Sequence, residues 1–192
     1  MRDMALFQQQ SRGQVNFVLI FTMAARTPFV TALLTIGLLG VLFGQSNHKA
    51  PPEPKFIELS KEDNKRLEQQ RAVIAAAAKR RYGAMGLTRT TRDLPILQKL
   101  IDDRVFHKSQ TYELQSLGVA FGDVLASELP LRWVMVTDEF GTDPTLRLKQ
   151  TTIQINALTM ISQRVERDEP VSVQGLLDKT REQLAANEKK FR

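Results

Sequence analysis

The sequence contains no cysteine. That excludes a disulfide scaffold, a Cys-ligated zinc or iron–sulfur centre, a thiol nucleophile and a lipid-modified cysteine anchor. Imidazole is nearly as scarce, with His48 and His107 the two histidines. A His-rich metal site or a His-based triad therefore has little to draw on. No Gly-x-Ser-x-Gly elbow, phosphate loop or dinucleotide-binding glycine pattern occurs. His107 has no visible catalytic company and is expected at a helix end or on the surface. No catalytic residue, metal ligand or cofactor is assigned from the sequence.

What is present supports a folded chain. Of 192 residues, 42% are hydrophobic and 25% charged, enough for a packed domain plus an appendage. The net charge of +6 is mild. Residues 1–50 carry Arg2, Arg12, Arg26 and Lys49 against Asp3 alone, while the rest is mixed in sign. Nucleic-acid binders concentrate cations on one face, so no nucleic acid is expected as a partner. The densest run, Lys79-Arg80-Arg81 with Arg89 and Arg92 beyond it, reads as a solvated helix end suited to the dipole. A phosphate-binding patch is the alternative.

The longest apolar run is Phe29 to Phe43, fifteen residues without a charge. As a helix it spans roughly 22 Å, short of a hydrocarbon core of about 30 Å. Residues 29–46 therefore read as a signal peptide or a short signal anchor, apolar all round rather than on one stripe. Gly44-Gln45-Ser46 is a passable cleavage site but no Ala-x-Ala is near. Arg2, Arg12 and Arg26 precede the run, so the amino end is expected in the cytoplasm and the bulk beyond the membrane. Residues 1–28 read as an N-terminal extension, with Met23 a natural start and Val15–Phe21 a second short apolar run. A re-entrant or interfacial segment is the competing reading of that extension. Residues 47–59 form a spacer around Pro51, Pro52 and Pro54, which hold the chain extended.

Residues 60–192 read as an α+β domain. Ser60 followed by Asp63 is a capping box with Asp in place of Glu, opening a helix over 61–81 that Gly83 and Gly86 end. Its first half reads as exposed, and its alanines 75–78 invite a close helix. Asp93-Leu94-Pro95 starts a second helix. A third covers 109–128, with an apolar stripe from Leu114 to Leu125. Gly118 and Gly122, four apart, cost about 1 kcal/mol each against Ala, so close approach of another backbone is expected there. The period then changes to strands at 132–138, 145–149 and 151–156, with a turn over 140–144. Helices return at 158–167 and 172–188. The expected fold is helices packed on an antiparallel sheet of about three strands, preceded by the N-terminal apolar helix.

The stretch Leu114-Gln115-Ser116-Leu117-Gly118-Val119-Ala120-Phe121-Gly122-Asp123 resembles a helix of the uncharacterised bacterial family called domain of unknown function 3806. The order Trp133, Val136, Asp138, Gly141, Asp143 and the later Met160–Glu166 helix are similar to that family, over about residues 114–184. The resemblance implies a fold but no activity, cofactor or catalytic residues.

Four residues stand as candidates for binding: Trp133, Asp138, Glu139 and Asp143. Trp133 is the sole tryptophan, expected in the core with a partner for its indole N–H. The acids cluster at one turn, where turn chemistry alone explains Asp and Gly. Adjacent strand residues Asp138 and Glu139 point to opposite faces and make a poor acid/base pair. The scarcity of catalytic types favours a non-enzymatic envelope protein, exported to the periplasm or tethered to the inner membrane through residues 29–46, whose partner is another envelope protein. The alternatives are a periplasmic enzyme using Asp138 or Glu139, and a cytoplasmic interaction module.

Overall fold

The computed structural model describes residues 7–11, 14–18, 53–138 and 141–190. The apolar run 29–43, with the helix expected there, lies outside them, as does Glu139. Among the described residues, no helix is long and apolar enough to cross a membrane.

Ser60 begins the helical part as its spelling implies. Its hydroxyl accepts from the Asp63 amide at 3.0 Å and the Asp63 carboxylate accepts from the Ser60 amide at 3.0 Å. This box starts helix α1 (Lys61–Tyr82), and Gly83 ends it at φ 70°, a conformation glycine adopts without strain. The expectation of an exposed first half fails at Leu67 and Gln70, both buried. Leu67 packs with Val119 and Leu158 in a small second core. Helix α2 (Leu94–Asp102) follows with Pro95 in its first turn.

Helix α3 (Thr111–Glu128) is the central post. Every residue from Ser116 to Leu125 is buried, so it is enclosed on all sides rather than amphipathic. The two glycines explain how. A Cβ on Gly118 would stand 2.4 Å from the backbone oxygens of Ala157 and Leu158. These belong to helix α4 (Ala157–Glu166), which crosses α3 there. A Cβ on Gly122 would stand 2.4 Å from the Trp133 ring and 3.0 Å from the Ala157 methyl. Helix α5 (Val173–Lys190) adds Val173, Leu176, Leu177 and Leu184 to the main core.

Four antiparallel strands complete an α+β fold: β3 (Lys55–Ile57), β4 (Leu131–Asp138), β5 (Gly141–Leu148) and β6 (Gln154–Ile155), in the spatial order β3-β4-β5-β6. Ahead of them in the chain, β1 (Phe7–Ser11) and β2 (Gln14–Val18) form a hairpin that meets β6 through one parallel pair, Val18 beside Gln154. Of the strands beyond the expected three, β3 is drawn from the spacer. It pairs Phe56 with Val136. Strand β5 begins at Gly141, so Gly141–Pro144, expected as turn, pair with β4 out to Asp138 beside Gly141. Gly141 holds φ 133°, so a side chain there is strained even though space is open.

Alternation assigns the faces. Leu131, Trp133, Leu146, Leu148 and Ile155 face the helices and join their core. Arg132, Val134, Val136, Asp138, Asp143 and Arg147 share the other face.

Candidate functional site

Where α1, α3 and β4 meet, charge is buried in an otherwise apolar corner. The Arg71 side chain is 11% exposed and Asp123 is 7% exposed. Their pairing is bidentate, Nε to Oδ2 and Nη2 to Oδ1, each at 2.6 Å. The indole Nε1 of Trp133 donates to the same Oδ1 at 2.9 Å. Arg71 Nη1 also donates to Glu68 at 3.1 Å, and Glu68 in turn accepts from Arg89 at 2.7 Å. The chain of contacts thus runs from the surface, Arg89 and Glu68, inward to Arg71, Asp123 and Trp133.

The electrostatics follow from that geometry. Burial pulls the Arg71 pKa down, but the hydrogen bonds and charge of Asp123, with Glu68 behind them, more than reverse it, so the net shift is upward. The guanidinium stays charged. Both Asp123 oxygens are engaged by donors, one of them twice. A carboxylate so occupied fastens three elements rather than attacking or abstracting.

A second polar fastener lies beside α2. Buried Asp93 accepts from the Thr88 amide at 2.8 Å, the Thr88 hydroxyl at 2.9 Å and the Arg89 amide at 2.7 Å. These bonds hold the loop that presents Arg89 to Glu68, with Arg89 itself at φ 59°.

The residues singled out from the sequence divide. Trp133 is half-buried rather than enclosed, and it bridges the two cores with its N–H satisfied as expected. Asp138 and Asp143 lie on the opposite face, diagonal to one another across β4 and β5. Asp143 is exposed and Asp138 partly so. The structure therefore separates the tryptophan from the two described acids. Further along the same face Arg147 stands 4.2 Å over the Phe56 ring and Arg132 pairs with Glu58. Burial, then the neighbouring Arg132, lowers the Arg147 pKa. His107 is exposed, its Nδ1 2.8 Å from the Ser109 hydroxyl. Among the described residues, no group of three His, Asp or Glu converges as a metal site would require.

Asp123, Arg71, Glu68 and Asp93 carry no signature that sequence reasoning assigned. One signal was available: Asp123 is an acid within the apolar stretch Leu114–Leu125, and a buried carboxylate needs a partner.

The fold has relatives. A crystal structure from Bacteroides thetaiotaomicron VPI-5482 superposes with a TM-score of 0.61 at 14% identity, over 68% of this chain and 48% of that one. This chain thus spans about half the length of that protein, and the likeness is one of fold. No curated protein matches the chain. Residues 93–176 match a family model, from buried Asp93 through α2, α3, the β4–β5–β6 meander and α4 to the first turn of α5. The matched family is described as a domain of unknown function (DUF3806), the family that the central helix and tryptophan strand resemble.

Proposed function

We propose that this chain is an envelope protein whose α+β domain is held to the inner membrane by residues 29–46 and acts by binding another envelope protein, not by catalysis. The observation that carries the tether is the order of segments: cations, a charge-free apolar run, a proline spacer, then strand β3 starting at Lys55. Binding rather than catalysis is supported by how the buried charges are used. Arg71, Asp123 and Asp93 are spent on holding elements together.

A topology reporter fused after Arg192 tests the tether. Activity of a periplasm-dependent enzyme is expected, and activity only of a cytoplasm-dependent one overturns the reading. For binding against catalysis, Asp138→Asn and Asp143→Asn are expected to leave complementation and melting as in the parent. Loss of complementation with an unchanged melt would move the acidic end of the sheet to an active site.

A further inference from the structure

The turn that leaves α1 holds a methionine in water. Met85 is fully exposed, on a loop between Gly83 at φ 70° and Gly86 at φ 140°. Directly before it, Lys79, Arg80 and Arg81 are exposed in the last turn of α1, and Arg92 is exposed shortly after. The acids at the neighbouring end of α2 are engaged: Asp103 accepts from the Tyr82 hydroxyl at 2.7 Å and Asp102 from Gln98 at 2.8 Å. Lys99 adds another cation, 4.5 Å from the Tyr82 ring centre. The helix dipole accounts for cations at this end. It does not account for a large apolar side chain held out on a glycine-flanked arm.

An exposed apolar side chain that closely follows a run of three exposed cations matches the headgroup boundary of an anionic bilayer. We propose that this loop docks on an anionic lipid surface, Met85 entering the boundary and Lys79, Arg80 and Arg81 facing the lipid phosphates. The proposal rests on the tether, which delivers the domain to the bilayer.

The absence of cysteine makes a single label unique. The full chain carrying Met85→Cys with an environment-sensitive fluorophore is reconstituted in phosphatidylcholine vesicles, with and without phosphatidylglycerol. Lipids brominated on the acyl chain serve as quencher. Quenching is expected only with phosphatidylglycerol, and it weakens as salt rises. Each cation near such a surface contributes about five-fold, so Lys79→Gln, Arg80→Gln and Arg81→Gln together lower the docked-to-free ratio on the order of a hundred-fold. The salt titration needs no charge substitution, so it decides the matter even should that variant fold poorly. Equal quenching without phosphatidylglycerol, equal quenching of a Tyr112→Cys control, or none at all overturns the docking. Alkaline extraction of the same vesicles reports on the tether separately. A chain that is retained but unquenched defeats the docking alone, and one that is released defeats the tether.

Discussion

Asp123 shows how much one residue can carry. It holds Arg71 twice and Trp133 once, from inside a helix with no exposed turn between Ser116 and Leu125. Asp123→Ala leaves Arg71 nearly buried without its counter-charge, which costs about 3–5 kcal/mol. Arg71→Met alone strands the carboxylate at a similar cost. The double variant Arg71→Met/Asp123→Leu removes both charges and is expected to recover most of the loss, as read by urea unfolding midpoints. A double variant as unstable as the sum of the singles would mean the pair contributes through shape alone. The need of an acid inside an apolar stretch for a partner was legible in the sequence, but not that Arg71 supplies it, because the two stand 52 residues apart and a bidentate contact leaves no local pattern. The opposite holds for Ser60 and Asp63, whose spacing announced their bond. Hydrogen bonds from Ser60 hold the Asp63 pKa below its ordinary 3.8. Its contribution is therefore present above that value and is lost as pH falls through the lower folded value. The melting difference between parent and Asp63→Asn is expected at neutral pH and should shrink in acid below 3.8.

Among elements, the glycine pair on α3 ranks what a methyl group costs. At Gly118 the obstacle is the backbone of α4, which cannot rotate aside, whereas at Gly122 it is an aromatic edge and a methyl. Overpacking of this kind typically costs about 1–3 kcal/mol. Gly118→Ala is expected at the top of that range or beyond, with Gly122→Ala below it. Thermal melts of the two variants check the order, and a milder Gly118→Ala would show that α4 shifts freely. The four-residue spacing of these glycines made the close approach legible, though not which element approaches. The helices were legible because their caps and periods are local. Strand β3 was not, since three residues beside prolines carry too little alternation to be read. The start of β5 was missed for a related reason: Gly141 and Pro144 have turn chemistry, yet the register with β4 continues through them.

For the molecule as a whole, the main core takes residues from each of the helices α1–α5 of the described residues and from β4, β5 and β6. Such a shared core unfolds as one unit. Trp133, the sole tryptophan, touches both cores and so reports on their joint. Its fluorescence and far-UV circular dichroism are expected to give coincident urea transitions. A tryptophan transition at lower urea would mean that the corner of α1, α3 and β4 opens by itself.

One feature of the architecture bears on how the chain meets force. Tension applied to the segment between β2 and β3 enters the helical part of the domain at β3, a three-residue strand at the sheet edge antiparallel to β4. Its short ladder bears that load first, before any part of the main core is strained. The next element along the chain is α1, whose first turn is closed by the Ser60–Asp63 box and anchored one turn later by Leu67 in the second core. The domain thus carries a short sacrificial stretch in front of a locked one. A pulling trace with the handle placed between β2 and β3 should show a small early extension, then a plateau that lengthens only when the corner around Asp123 gives way.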